Sequence, residues 1–122
     1  MNLTLPFPPS VNGYWRSIRG RQILSERGRA YKASALRVPM ALTPGSVAVT
    51  MRLYPPDRRQ RDLDNYFKAV GDVIKNRAIE DDSQIRRLVL EWCPADKSNP
   101  RVELEIAQLP LENKHLTDGK GA

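Results

Sequence analysis

The stretch from residue 47 to residue 93 constrains the fold most, because two strand-like patterns flank a helix-like one. Apolar residues occupy every second position over 47–53 and again over 88–92, which predicts two strands that each bury one face. Between them, apolar residues at 63, 67, 70 and 74 recur at intervals of four, three and four. This pattern predicts a helix with Asp62 as its N-cap. If the two strands are parallel neighbours, the connection between them is a right-handed crossover.

The flanking segments supply the remaining elements. Residues 2–7 predict a short edge strand, because Pro6 has no amide proton to donate to a neighbour. Residues 11–24 lack periodicity and predict a long, positively charged loop, after which Ser25 caps a helix that extends to about Leu36. The alternation over 102–106 predicts a last strand, in an antiparallel hairpin with 88–92. The predicted fold class is therefore α+β, a small mixed β-sheet of about four strands with two main helices packed on one face.

Chain length and cysteine content limit the architecture further. A chain of 122 residues leaves too few for a second core, so we expect a single domain over residues 1–109. Residues 110–122 lose all periodicity and predict a disordered C-terminal tail. The single cysteine, Cys93, excludes an intrachain disulfide and a cysteine-rich zinc site. No apolar run approaches the roughly 20 residues that a membrane helix needs, and we expect a soluble, cytoplasmic protein with no membrane association.

The positive charge of the chain is concentrated in one segment. The formal net charge is +6, and residues 14–37 alone hold seven basic side chains against one acidic side chain. Such a cluster favours a polyanionic partner, because each Lys or Arg that contacts a phosphate releases condensed counterions. The segment predicts binding to nucleic acid, with a solvated basic surface as the alternative. It also holds Tyr14 and Trp15, whose rings either stack on unpaired bases or pack against the sheet.

Acidic side chains lie at both ends of the predicted second helix. Asp62 and Asp64 stand at its start, and Glu80, Asp81 and Asp82 follow its end. Mg²⁺ prefers oxygen ligands and is commonly held by one or two carboxylates together with waters and substrate phosphate oxygens. These residues therefore predict an open site for a divalent metal rather than a closed cage.

Lys68 lies beside these carboxylates in the predicted helix. Its spacing from Asp64 and Asp72 places carboxylate, ammonium and carboxylate on one helical face, where a lysine would stabilise the negative charge of phosphoryl transfer. The alternative is structural: Asp62 is only a helix cap, Asp64 and Asp72 only pair with Lys68, and residues 80–82 form a solvated turn. Likewise, the arginines of DRRQR at 57–61 either pair with these carboxylates or face a substrate phosphate.

Several motifs together resemble those of the RusA family of Holliday junction resolvases. They are PPSVNGYWR at 8–16, PPDRRQRDLDN at 55–65, Lys68-Ala69, Asp72 and EDDSQ at 80–84. Their order and spacing are those of the family, and the likeness extends over roughly residues 3–107. One departure is Gln60, which stands where an arginine is common in the family.

The resemblance implies a Mg²⁺-dependent, structure-selective endodeoxyribonuclease, with Mn²⁺ as a substitute and no organic cofactor. Such an enzyme acts as a homodimer and resolves four-way DNA junctions by paired symmetric nicks during recombination and repair. By the same likeness, Asp62, Asp64 and Asp82 are catalytic aspartates that bind the metal, and Lys68 is the catalytic lysine.

The resemblance also implies supporting residues, and the positive charge of residues 14–37 and of DRRQR predicts the DNA-binding surface. Asp72 and Asp81 match acidic family positions and are expected to support the metal ligands. The residues expected to contact DNA are Tyr14, Trp15, Arg16, Arg19, Arg21, Arg27, Arg29, Lys32, Arg58, Arg59 and Arg61. Two alternatives stay open: a non-catalytic protein that binds branched or single-stranded nucleic acid, and a flap or fork nuclease on the same scaffold. Metal-dependent cleavage distinguishes the non-catalytic protein from a nuclease.

Overall fold

The computed structural model describes residues 1–110 and has an α+β architecture. Its main sheet contains β1 (Asn2–Pro6), β4 (Val47–Tyr54), β5 (Ile85–Trp92) and β6 (Arg101–Gln108), in the order β1-β6-β4-β5. β4 and β5 pair in parallel, whereas β6 pairs antiparallel with both β1 and β4. The mixed four-stranded sheet and the edge position of β1 are confirmed. Of the predicted tail, residues 111–122 lie outside the described residues.

One face of this sheet carries the core. Burial alternates along β4, so that Val47, Val49, Met51 and Leu53 are all buried. Two helices, α2 (Glu26–Ala35) and α3 (Lys68–Ile74), contribute their own buried residues to the same cluster. The core therefore lies between the sheet and the two helices that the sequence predicted. No helix within residues 1–110 has the length and apolar character to span a membrane.

Residues 11–24 are not the predicted loop. They form one helical turn, α1 (Val11–Tyr14), followed by a hairpin of β2 (Trp15–Ile18) and β3 (Arg21–Leu24), which pair with each other as a second, two-stranded sheet. Arg19 and Gly20 both have positive φ, of 53° and 77°, as the tight turns that suit a hairpin require. Residues 11–24, which include the first part of the basic segment, thus have regular secondary structure and are not a long loop.

The predicted antiparallel hairpin between 88–92 and 102–106 is also wrong. β6 pairs with β4 through Met51↔Leu104 and with β1 through Leu3↔Leu104, and β4 separates it from β5. The parallel crossover places β5 on one side of β4, and β6 occupies the other side. The connection over residues 93–100 therefore passes the end of β4, where the Cys93 amide donates to the Leu53 carbonyl at 2.8 Å.

The predicted helix from Asp62 to Ile74 is interrupted near Phe67. Residues Leu63–Tyr66 form a 3₁₀ turn, and the α-helix begins only at Lys68. Asp62 holds the N-cap position, but its side chain makes no capping hydrogen bond. Because a 3₁₀ helix has about three residues per turn, residues spaced by four no longer stack on one face. The 3₁₀ turn therefore removes Asp64 from the predicted helical face, whereas Lys68 and Asp72 remain one turn apart on α3.

Candidate active site

The four residues with predicted catalytic roles are all exposed. Asp62 and Asp64 lie at the start of the 3₁₀ turn, Lys68 is the first residue of α3, and Asp82 begins a second 3₁₀ turn (Asp82–Gln84) just before β5. None of the four takes part in the ion pairs formed by residues 1–110. The structural alternative, in which Asp64 pairs with Lys68, therefore finds no support in the described residues.

The carboxylates suit an open metal site better than a closed one. Residues 1–110 contain no group of three or more His, Cys, Asp or Glu side chains placed to hold a metal ion. Asp62, Asp64 and Asp82 thus do not form a three-carboxylate cage within one chain. Mg²⁺ does not need such a cage, because it retains waters and accepts phosphate oxygens beside one or two carboxylates. Exposed carboxylates without ion-pair partners have the donor chemistry for that arrangement, and their role in metal binding stays a prediction.

Asp81 and Asp82 are neighbours in sequence but have different surroundings. The Asp81 carboxylate accepts a hydrogen bond from the Ser83 amide at 3.0 Å and lies 3.9 Å from the Lys75 ammonium. Hydrogen bonds from Ser83 hold the pKa of Asp81 below its usual range. Asp81 therefore caps the second 3₁₀ turn, and Asp82 is the member of the pair that is available to a ligand.

Gln84 ties the loop that carries Asp82 to another part of the chain. Its side-chain oxygen accepts hydrogen bonds from the amides of Glu80 and Asp81, at 2.6 and 3.1 Å. Its side-chain nitrogen donates to the carbonyls of Thr43 and Gly45, each at 2.8 Å. One side chain thus satisfies four backbone groups, and it fixes the loop against the turn that precedes β4.

Asp72 contacts Tyr14 and Lys32 instead of Lys68. The Tyr14 hydroxyl donates to the Asp72 carboxylate at 2.5 Å, and the Lys32 ammonium lies 3.3 Å from the same oxygen. Tyr14 is fully buried. Burial and then the hydrogen bond to Asp72 raise the pKa of the Tyr14 hydroxyl well above its usual value, which favours the protonated form that donates to the carboxylate. The prediction that Tyr14 stacks on DNA is corrected, because its ring belongs to the core.

Tyr14 also closes the base of the β2–β3 hairpin. The Ser25 amide donates to the Tyr14 carbonyl at 2.9 Å, and the Ser25 hydroxyl donates to the Gly13 carbonyl at 2.6 Å. Ser25 also caps α2, as predicted, by accepting from the Gly28 amide. A Cβ atom on Gly28 would lie 2.4 Å from the Tyr14 carbonyl oxygen, so this close approach requires glycine. The hairpin is consequently anchored at its base, and the Tyr14 hydroxyl extends that anchorage to α3.

Lys68 shares a cleft with the basic hairpin. We call this cleft of about 530 Å³ the hairpin cleft, and it is lined by Val11, Asn12, Trp15, Arg16, Ser17, Gln22 and Lys68. Trp15 is half-buried, and its ring meets the Tyr14 ring edge-on, with centroids 5.2 Å apart and an interplanar angle of 87°. The predicted catalytic lysine and part of the predicted DNA-binding surface therefore lie together.

The arginines of DRRQR differ in their surroundings. The Arg61 side chain is 5% exposed, forms an ion pair with Asp57 at 2.8 Å and lies over the Phe7 ring. For Arg61 the choice between pairing a carboxylate and facing a phosphate is therefore settled in favour of pairing, although its partner is Asp57 and not a predicted metal ligand. Arg58 and Arg59 are exposed.

The other predicted DNA-binding cations lie mostly on the surface. The hairpin and α2 both contribute, and Lys32, paired with Asp72, is the half-buried member. Arg59 and Arg27 line a second cleft, of about 540 Å³, which brings the DRRQR segment next to α2. The exposed members are Arg16, Arg19, Arg21, Arg27 and Arg29.

Three residues in these surroundings did not emerge from the sequence as candidates. Gln84 has a recognisable signal, because Asp81 and Gln84 have the spacing of a capping box, and both of its hydrogen bonds are present. Asn12 and Gln22 have no comparable signal, because the cleft that they share with Lys68 forms between elements that are distant in sequence.

Comparison with known proteins gives one consistent result. Residues 6–107 match the family described as endodeoxyribonuclease RusA. The chain is 36% identical over 120 residues to a crossover junction endodeoxyribonuclease of Enterobacteria phage 82, covering 91% of this chain and 97% of that protein. It is 35% identical over 117 residues to proteins of the same description from Shigella sonnei and Escherichia coli K12, with the same shares covered.

Proposed function

Because the chain belongs to the RusA family of endodeoxyribonucleases, we propose that it cuts four-way DNA junctions at a site built on Asp62, Asp64, Lys68 and Asp82. The observation that best supports this assignment is the hairpin cleft, in which Lys68 and Arg16 line one surface. A predicted catalytic group and a predicted phosphate-binding group are distant in sequence, yet the fold brings them together. A purely structural role for Lys68 does not account for this placement.

The residues of the chain have separate tasks in the proposed reaction. The exposed cations of the hairpin and α2 bind phosphates and orient the strand, with an affinity that falls as salt rises. The Lys68 ammonium stabilises the negative charge that accumulates on the phosphate as the P–O bond breaks. Asp81 and Gln84 hold the loop that presents Asp82.

Asp62, Asp64 and Asp82 are the residues from which Mg²⁺ would take one or two carboxylate ligands, with waters and phosphate oxygens completing its coordination. When bound, the metal supplies a polarised phosphate and an activated water for hydrolysis. The three carboxylates are exposed and outside the ion pairs of residues 1–110, and this supports their assignment as ligands. Mn²⁺ satisfies the same oxygen donors and is the expected substitute.

We further propose that the active species is a homodimer. Resolution of a junction requires cuts in two strands of like polarity, and two symmetric copies of one site supply both cuts. Mixed dimers of the wild-type chain and Asp64→Asn test this point. We expect them to nick one strand per junction, whereas a monomeric enzyme would leave paired cuts from its wild-type fraction.

The first experiment compares labelled synthetic substrates at one ionic strength. We expect paired symmetric nicks in a four-way junction with Mg²⁺, no nicks with EDTA, and much weaker cutting of linear duplex and of a three-way fork. Equal or stronger cutting of the fork would favour a fork nuclease. Tight junction binding without cutting under Mg²⁺ or Mn²⁺ would favour a non-catalytic binding protein.

Asp64→Asn tests the site itself. We expect the variant to lose cutting and to retain junction binding, because the substitution removes a metal ligand and also relieves repulsion of the phosphate. Glu105→Gln is the matched control, since Glu105 is an exposed carboxylate on β6 between the core-facing residues Leu104 and Ile106. This control should cut at the wild-type rate. Mg²⁺-dependent cutting by Asp64→Asn would contradict the assignment.

A further inference from the structure

We infer that the hairpin cleft receives one unpaired base of the opened junction, which stacks on Trp15 and is contacted at its edge by Asn12 and Gln22. This inference rests on the proposed function, because it states which part of the substrate lies beside Lys68. The base would be held next to the lysine, so that the cleft aligns the adjoining phosphate with the reaction.

The chemistry of the cleft matches the parts of a nucleotide. Trp15 supplies an aromatic face for a base, and Arg16 supplies a charge for a phosphate. The side-chain amides of Asn12 and Gln22 each carry donors and an acceptor, which is the combination that a base edge presents. A volume of about 530 Å³ lies within the range of about 300–1,000 Å³ that is usual for small-molecule sites. An unpaired base fits this set of groups better than a duplex does.

The pairing of the hairpin strands directs the side chains of Trp15, Ser17 and Gln22 to the same face. Ser17 pairs with Gln22, and Trp15 pairs with Leu24. Side chains alternate between the two faces of a strand, so Trp15, Ser17 and Gln22 project from the same face of the hairpin. Asn12 on α1 and Lys68 on α3 approach that face from elements outside the hairpin.

The position of Trp15 is fixed by its neighbour in sequence. Its neighbour Tyr14 is fully buried, is bound to Asp72 through its hydroxyl and is bound to Ser25 through its carbonyl. The edge-on contact between the two rings and packing against the core hold the partly buried indole in place, and Trp15 still lines the cleft. Little ordering of this side chain is then needed when a base arrives.

Photocrosslinking provides the direct test. A four-way junction carrying one 5-iodouracil, placed at successive positions around the crossover, is bound to the full chain in EDTA and irradiated. We expect one position close to the cut site to crosslink to Trp15, as identified by mass spectrometry, and not to Trp92. Crosslinks that avoid Trp15 at every position of a bound junction would overturn the inference.

Two substitution series separate stacking from edge contacts. Trp15→Ala should weaken junction binding about tenfold, and Trp15→Phe should restore most of it, because stacking requires a flat aromatic face. For junctions that differ only at the crosslinked base, the ratio of the fastest to the slowest cutting rate measures base preference. Asn12→Ala and Gln22→Ala should each lower this ratio about tenfold. Asn2→Ala is the matched control, since Asn2 is an exposed amide side chain on β1, outside the cleft and outside the predicted DNA-binding residues. Unchanged ratios for both Asn12→Ala and Gln22→Ala would contradict the edge contacts.

The failure of this inference is distinguishable from failure of the proposed function. Paired nicks by the wild-type chain, together with wild-type binding by Trp15→Ala and no crosslink to Trp15, would leave the nuclease intact and overturn the base site. A crosslink to Trp15 in a chain that cuts no junction would support the base site and reject the nuclease.

Discussion

Replacing Tyr14 with phenylalanine tests the contact that joins the hairpin to α3. The change removes one hydroxyl and leaves the ring in its core position, so no cavity forms. A hydrogen bond to a charged partner contributes about 1.5–3 kcal/mol to stability. The Asp72 side chain is 30% exposed and also pairs with Lys32, so water and the ammonium offset part of the loss. We therefore expect the free energy of unfolding to fall by about 1.5–2 kcal/mol, near the lower end of that range.

Tyr31→Phe is the matched control for this experiment. Tyr31 is also buried, and its hydroxyl donates at 2.8 Å to the Pro6 carbonyl, which is a neutral acceptor. Bonds between neutral partners contribute about 0.5–1.5 kcal/mol, so Tyr14→Phe should be the more destabilising change. Urea unfolding of both variants measures the difference, and a double-mutant cycle with Asp72→Asn measures the coupling. Equal losses in the two phenylalanine variants, or additive effects in the cycle, would refute the reasoning.

Three further changes test other parts of the structure. Gly28→Ala should lower the free energy of unfolding by about 1–3 kcal/mol, because its Cβ would lie 2.4 Å from the Tyr14 carbonyl oxygen, and an unchanged melting temperature would show that the approach is less close. Gln84→Ala should raise the Mg²⁺ concentration needed for half-maximal cutting more than it lowers the maximal rate, because the Asp82 loop loses its support, whereas the opposite pattern would contradict this role. The Arg59 amide and the Arg61 side chain hold the pKa of Asp57 below its usual range. The ionised Asp57 carboxylate therefore stabilises the fold fully above the unfolded carboxyl pKa of about 3.9, and this stabilisation is lost as pH falls through the lower folded value. Asp57→Asn should therefore flatten the loss of stability below about pH 4, and parallel curves for variant and wild type would reject the assignment.

Local patterns predicted the elements whose signal lies within a few residues. The alternation over 47–53 became β4, and the Ser25 cap began α2, because periodicity and capping are local properties. The β2–β3 hairpin was missed because its turn places Arg19 at positive φ, a conformation that arginine rarely adopts. The sequence predicted that β6 pairs with β5, whereas β6 pairs with β4 and β1. This pairing depends on which side of β4 is occupied by β5, and no local sequence pattern contains that information.

In the candidate site, too, local sequence predicted some features and long-range contacts determined the others. The residue types at 62, 64, 68 and 82 indicate metal and phosphate chemistry wherever the chain places them. Asp72 was grouped with Lys68 by helical spacing, but its partner Tyr14 is 58 residues away in sequence. Tyr14 was assigned equally to DNA and to the core because an aromatic residue beside arginines fits both, and only packing distinguishes them. Long-range contacts therefore decided each role that the sequence left open or assigned wrongly.

The position of β6 has a consequence for how the protein is made. β6 is the last strand along residues 1–110, yet it lies between β1 and β4 in the sheet. At about 5–20 residues per second, β1 waits roughly 5–20 s for the neighbour with which it pairs. During that time the ribosome-bound chain already displays the cations of residues 14–37, but the sheet that supports α2 and α3 is unfinished. A translation intermediate thus carries this cluster of positive charge before the folded domain exists, and the sheet is completed only after β6 has been synthesised and has left the ribosome.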